Sequence, residues 1–300
     1  MGSLPLSSRA VRTAWRIVPK RALSGAIGWS ARIGIPKAIR APFLARFARH
    51  YGIDGGEAEN ALAEYRNVDA FFTRRLRPGV RSIDSLPETV VSPADGTVIE
   101  SGVVTAGHLL QAKGVSFELD ELLADGDAAK RLNGGSYLIT YLSPRDYHRV
   151  HAPTAGVVTG WHHVPGTLFP VGAKSVAREP RLFVSNERLV TLLEGPAGLC
   201  AVVMVAAVGV GHITAAYDED IAPPARSFRR AKVRHARYDE PRRLEKGGEI
   251  GTFHLGSTTI VVFEPGRVVL GSFVPGQATR MGEVIGRVSV AGTGAMMEMG

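Results

Sequence analysis

The chain has 300 residues, 45% of them hydrophobic and 21% charged, with 35 glycines, 18 prolines and one cysteine. The apolar content excludes a disordered chain and the lone Cys200 a disulfide scaffold, while the length allows one large domain or two small ones. The net charge of +8 sits in one place, since residues 1–50 hold ten Lys and Arg and no acid, while the other 250 residues carry 26 basic against 28 acidic groups; the body is therefore no general polyanion binder.

In residues 1–50, Trp15, Ile17, Val18, Ile27, Trp29, Ile33, Ile39, Phe43 and Phe47 are interleaved with cations at roughly helical spacing. Pro19, Pro36 and Pro42 divide the segment into short helices. A basic face opposite an apolar face with Trp is the pattern of an interfacial membrane helix. A cleaved transit peptide and a helical subdomain packed on the core are the competing readings. Next, Ala58–Tyr65 reads as a helix, and Asn67 or Asp69 can cap the turn into Phe71 and Phe72.

Brief Val/Ile/Thr-rich runs follow, separated by Gly and Pro: residues 90–91, Thr97–Val104, Ser136–Leu142, Val157–Val164, Leu189–Leu193, Thr258–Phe263 and Arg267–Phe273. One helix, Glu118–Leu123, interrupts them. Residues 195–217 lack Asp, Glu, Lys and Arg and are long enough to cross a bilayer. Their glycines and valines fit two buried strands better, Leu199–Ala206 and Gly211–Tyr217 with a Gly turn between them. Pro93–Val98 and Pro153–Val158 share P-x-x-G-x-V, which suggests a duplicated β-hairpin layer. A second cationic run, Arg226–Arg243, reads as an exposed loop, with anionic lipid as its alternative ligand. No recognition helix, zinc module or aromatic platform accompanies it, so nucleic acid is not expected as a partner. The predicted fold is α+β: basic amphipathic helices over residues 1–66, then a single β-rich, mainly antiparallel domain over 67–300.

Three stretches carry chemistry. Ser92-Pro93-Ala94-Asp95-Gly96 puts an acid in a tight turn at the mouth of a strand, which alone is ordinary turn chemistry. Tyr141–Pro153 contains His148 and His151, three apart, which suit metal ligation, acid/base work or a solvated loop. Metal is the weakest of these, because the single cysteine and scattered histidines offer no companion motif. His254–Thr259 places a Gly256–Ser257 bond before an apolar strand, where a plain turn is the usual meaning.

Read together, the motifs are specific. Phe71-Phe72-x-Arg74-x-Leu76-Arg77-Pro78, Ser92–Gly96, Leu109–Gly114, Tyr141–His151 (YLSPRDYHRVH), Val164-Pro165-Gly166, Asn186-Glu187-Arg188 and Leu255-Gly256-Ser257-Thr258 occur in that order. From about Trp15 to about Gly286 the sequence closely resembles phosphatidylserine decarboxylases of the membrane-associated bacterial and mitochondrial type. The resemblance implies a proenzyme that cuts itself at Gly256–Ser257 into a β chain (1–256) and an α chain (257–300), which stay together as a heterodimer; a homodimer is left open as a larger assembly. Ser257 becomes a pyruvoyl group, which forms a Schiff base with the substrate amine and takes the place of pyridoxal phosphate. The lysines show no pyridoxal phosphate signature, Lys113 and Lys174 being generic candidates only, and no metal is implied. By the same resemblance His151 is the base that activates Ser257, Asp95 orients it, and His148 serves decarboxylation.

The implied substrate is phosphatidylserine, converted to phosphatidylethanolamine and CO2 for phospholipid biosynthesis. The implied place is an anionic membrane surface, with Trp15, Trp29, Phe71 and Phe72 as docking residues. A peripheral protein on the cytoplasmic face of a bacterial inner membrane is expected, or on the mitochondrial inner membrane in a eukaryote. Two other functions stay open: a serine hydrolase using Asp95, His151 and Ser257 in trans, and a non-enzymatic membrane-binding β-domain. The absence of a G-x-S-x-G elbow weighs against the hydrolase, and only the decarboxylase appears as two chains on a denaturing gel.

Overall fold

The structure, a computed structural model, describes residues 27–112, 115–176, 179, 181–207, 212–221, 232–254 and 256–289. Its strands in chain order are β1 (Thr89–Val91), β2 (Gly96–Val103), β3 (His108–Ala112), β4 (Val115–Glu118), β5 (Ser136–Leu142), β6 (Arg149–His151), β7 (Gly156–Val164) and β8 (Arg188–Gly195). There follow β9 (Gly198–Ala206), β10 (Ile213–Ala215), β11 (Arg234–Leu244), β12 (Glu249–Phe253), β13 (Ser257–Phe263), β14 (Val268–Leu270), β15 (Ala278–Thr279) and β16 (Val284–Val288).

The most continuous apolar runs take the middle of the main sheet. β9 and β13 are buried at every position, and their β-branched residues pair from Ser257↔Ala206 to Phe263↔Cys200. Around them the antiparallel order is β11-β7-β8-β9-β13-β5-β2-β15. Two smaller sheets, β10-β12-β6 and β1-β16-β14, and the hairpin β3-β4 complete the β structure. The core also takes Leu119, Leu122 and Leu123 from helix Leu119–Leu123, and Leu132 from helix Gly126–Leu132. Asp125 caps the latter, accepting from the N–H groups of Asp127 and Ala128. The Asn-Glu-Arg segment is a structural brace. Asn186 ties Phe169 to Ala206 through its amide, and buried Arg188 donates to the carbonyls of Glu121 and Leu122.

A second, small core lies under helix Lys37–Tyr51, where Leu44 and Ala48 pack with Ile53, Ala58, Tyr65 and Phe71. The far side of that helix leaves Ile39, Phe43 and Tyr51 exposed, beside Arg46 and Arg49.

Several expectations hold. The predicted strands at 90–91, 97–104, 136–142, 157–164, 189–193, 199–206 and 258–263 are strands within a residue or so, and Arg267–Phe273 keeps only Val268–Leu270. Glu118–Leu123 is helical from Leu119, and Asn67 caps the turn Val68–Phe72. Of Gly211–Tyr217, Ile213–Ala215 is strand, and the preceding Gly turn lies outside the described residues. No helix among the described residues is long and apolar enough to cross a membrane.

Others are corrected. Ala58–Tyr65 is a run of turns, because its backbone pairs across the chain: Glu59 N–H donates to Arg75 and Arg77 N–H to Glu57. The described part of Arg226–Arg243 is not a loop but edge strand β11, laid along β7 from Arg234↔His163 to Leu244↔Gly156. Its charges suit an edge that must not pair further. The P-x-x-G-x-V segments do not form one hairpin layer. Each opens a long strand, β2 or β7, and they cross through Val91 N–H to Pro153 and His151 N–H to Pro93.

Candidate active site

Ser257 is the first residue of the central strand β13, held between Leu142 of β5 and Ala206 of β9. Its side chain is fully buried, and its Oγ has no hydrogen-bond partner among the described residues. The Thr258 and Thr259 hydroxyls after it share that state, and what sets Ser257 apart as a chemical candidate is the backbone before it. Gly256 precedes it at φ +39°, a left-handed conformation that a side chain would resist. The approach to the bond is tethered as well: His254 Nδ1 donates to Asp69 at 3.0 Å, and its ring stacks on His212.

Both motif histidines ride on elements bonded to that approach. Ser143 and Asp146 close a turn with Pro144 at its second position, Asp146 N–H donating to Ser143 at 2.9 Å. The Asp146 carboxylate accepts from Ser143 N and Oγ, and burial pushes its carboxyl up. The chain then runs through His148 into β6, which pairs with β12, the strand leading to the scissile segment. Phe253 N–H donates to the His148 carbonyl at 2.9 Å.

The His148 ring is fully buried against Phe72, with ring centroids 4.0 Å apart. Its Nδ1 lies 2.8 Å from the Asp146 carbonyl, which can only accept, so Nδ1 carries the proton and Nε2 keeps a bare lone pair. That Nε2 has no partner among the described residues. Burial lowers the His148 pKa to about 3, so the ring is neutral at physiological pH. His151 is arranged alike. Its Nδ1 donates to the Gly247 carbonyl at 2.8 Å, and its Nε2 faces the Tyr147 hydroxyl at 3.3 Å. Burial lowers its pKa too, and raises the Tyr147 phenol to about 12, leaving an O–H donor.

Asp95 stands apart from this pair. Its carboxylate accepts from Arg81 Nε at 3.0 Å, from a second Arg81 nitrogen, and from Met281 N–H at 2.8 Å. Arg81 also forks onto Glu57 with two bonds of 2.9 Å, which hold that carboxyl below its usual range. Asp95 therefore makes no hydrogen bond to His151; Gly247 supplies the acceptor that orients the imidazole, and Asp95 acts on it through space. Gly96 keeps this turn close to β5, since a Cβ there would sit 2.4 Å from the Tyr141 carbonyl.

The docking residues divide. Trp29 is 61% exposed, and Trp15 lies outside the described residues. Phe71 and Phe72 are interior: Phe71 joins the small core against Tyr65, and Phe72 covers His148. The aromatic pair is packing, not a membrane contact. Sequence reasoning missed Arg74, Arg81, Tyr147, Asp146 and Gly247. The first four stand inside or just beside the quoted motifs, where a charged or aromatic residue reads as solvated surface until its burial is known.

The family model described as Phosphatidylserine decarboxylase matches residues 68–287. A phosphatidylserine decarboxylase proenzyme of Anaeromyxobacter sp. (strain K) is 46% identical over 282 residues, covering 94% of this chain and 99% of that protein. Those of Myxococcus xanthus and Azotobacter vinelandii are 43% and 41% identical, each covering 91% of this chain and 96% of the relative. The chain, in which a buried serine follows a left-handed glycine, belongs to the phosphatidylserine decarboxylase family.

Proposed function

We propose that the chain is a proenzyme that cuts itself at Gly256–Ser257 and then decarboxylates phosphatidylserine to phosphatidylethanolamine, supplying phospholipid biosynthesis. The observation that carries this is the Ser257 hydroxyl, buried, without a partner among the described residues, and directly after a glycine at positive φ. Neutral His151 takes the Oγ proton at Nε2, exchanging its Tyr147 contact for the serine. Oγ bonds to the Gly256 carbonyl carbon, the C–N bond breaks, and the freed nitrogen keeps the proton returned by His151. Gly256 is then an ester on Ser257. Loss of the Ser257 Cα proton with cleavage of Cβ–O releases Gly256 as a carboxylate and leaves dehydroalanine. Tautomerisation and addition of water expel ammonia, giving an N-terminal pyruvoyl group. Asp95 supports the imidazolium formed on the way by its nearby negative charge.

The pyruvoyl ketone supplies the electron sink that lets an α-amino acid lose CO2. The position fits it: the Ser257 side chain is buried and has no hydrogen-bond partner among the described residues. His148 Nε2, whose lone pair has no partner among the described residues, can accept the substrate ammonium proton and return it to Cα once CO2 has gone. After cutting, β13 to β16 belong to the 44-residue α chain, and β13 stays hydrogen-bonded on both edges, so the two chains remain one particle. Attachment to an anionic membrane is proposed to be peripheral, through the basic segment and the exposed Trp29, Ile33, Ile39 and Phe43, on the cytoplasmic face of a bacterial inner membrane.

A denaturing gel with intact-mass analysis tests this. Fragments of 256 and 44 residues are expected, the smaller one blocked to Edman degradation. It should be about 17 Da lighter than a serine-started peptide, the mass of the ammonia lost. An intact chain in active protein would overturn the proposal.

A further inference from the structure

Six buried polar atoms in and near the cleavage segment have no partner among the described residues: Ser257 Oγ, His148 Nε2, Oγ1 of Thr258 and of Thr259, and Nε and Nη1 of Arg74. The first two belong to the chemistry above. Arg74 has no part in it, although the residue is only 2% exposed. Its remaining nitrogen makes one long contact, 3.4 Å to the Arg145 carbonyl, and its Cζ lies 5.5 Å from the Phe71 ring centroid. Glu57 and Asp95 are near enough to act on it through space, but the Arg81 fork already holds both carboxylates.

A guanidinium taken out of water with its N–H groups aimed at no acceptor is costly, unless something else supplies the acceptor. The position is also built rather than incidental. Arg149 donates from Nε and Nη2 to the Thr73 carbonyl at 3.0 and 2.8 Å, fixing the backbone just before Arg74. Burial first, and the Arg74 charge with it, disfavour a proton on His148, which places guanidinium and imidazole in one electrostatic environment. Phe71 and Phe72, consecutive on one helical turn, back the two groups.

We infer that Arg74 binds the phosphodiester of the lipid head group and holds it while His148 Nε2 meets the amine, an assignment that rests on the decarboxylase function proposed above. Two anions compete for the role. A guanidinium on the substrate carboxylate would grip the ground state more tightly than the transition state, because that charge flows away as CO2 forms, and so would slow the reaction. The phosphodiester keeps its charge throughout. Its paired oxygens also match the planar fork, which Lys lacks.

Arg74→Gln and Arg74→Lys, prepared as the full chain, test the assignment. Self-cleavage is read on a gel and decarboxylation in mixed micelles. Glycerophosphoethanolamine (a phosphodiester without carboxylate) and L-serine (a carboxylate without phosphate) serve as competing probes. The expected result for Arg74→Gln is normal cutting, KM raised roughly 10- to 100-fold, the worth of charge-assisted hydrogen bonds. Inhibition by glycerophosphoethanolamine should be lost, and kcat should change much less than KM. Arg74→Lys should fall between, and it carries the comparison if Arg74→Gln fails to cut. The assignment is overturned if glycerophosphoethanolamine does not inhibit the wild type, if it inhibits the variants equally, or if only L-serine inhibition is lost. A wild type that neither cuts nor decarboxylates would instead sink the proposed function.

Discussion

The two histidines three residues apart are proposed to do different work, because their Nε2 atoms face different things. Among the described residues His151 Nε2 meets a hydroxyl and His148 Nε2 meets none. His151→Ala is therefore expected to accumulate uncut precursor on a gel, as Ser257→Ala should, whereas His148→Ala should cut and then decarboxylate poorly. The opposite pattern would reverse the two roles. Both rings have pKa values lowered by burial from 6.5, that of His148 to about 3. A base that stays neutral keeps working in acid, so the cutting rate should hold as pH falls through 6.5 and drop only below it. Stability should behave differently. The unfolded histidines take up protons at 6.5 and the folded ones resist, so stability is full above 6.5 and is lost progressively as pH falls toward 3. Thermal melts of the Ser257→Ala precursor across that window should show Tm falling with pH; a flat profile would show that the rings are not held neutral.

Among the elements, what was legible in the sequence was whatever burial writes into composition. The apolar, β-branched runs of β9 and β13 allow few other structures, and both were readable almost to the residue. β11 was not, because an exposed edge strand repeats Arg, His and Asp as a solvated loop does. The helix expected at Ala58–Tyr65 failed for a related reason. Its periodic apolar residues do face a core, but through turns whose backbone bonds go to residues 75–77. The site divides the same way: motifs gave Asp95, His148, His151 and Ser257, whereas Gly247 and Arg81 act by spatial approach from distant segments. Asn67 joins two elements, its Oδ1 capping Val68–Phe72 and its Nδ2 donating to the Arg32 carbonyl. Asn67→Ala should cost about 1 kcal/mol, read as a lowered denaturation midpoint. It should also loosen Phe72 over His148, so decarboxylation should suffer more than cutting.

Over the whole molecule, charge and chemistry are segregated. The basic segment ends by residue 50, while the proposed processing residues all lie beyond residue 90. Deleting residues 1–45 should therefore release the protein from anionic vesicles without stopping cleavage, provided the second core survives the loss of Leu44. Sedimentation with vesicles and a gel of the same sample check both halves. Salt should weaken docking of the full chain, since screening sets in within about 8 Å at physiological ionic strength. A truncated protein that still sediments fully would move the docking surface to the cationic residues of β11.

The placement of Ser257 at the head of a strand clasped by β9 and β5 has one more consequence. On the proposed mechanism the serine can meet its histidine only when β13 has found its register and β6 has paired with β12, partners far apart in the chain. A chain that collapses in the wrong register has no competent base beside its serine and never ripens. Maturation by the proposed route would thus work as a proofreading step. On the proposed mechanism each cut chain would certify that one molecule has folded correctly, and the ratio of cut to uncut chain in a cell would be a running measure of folding fidelity.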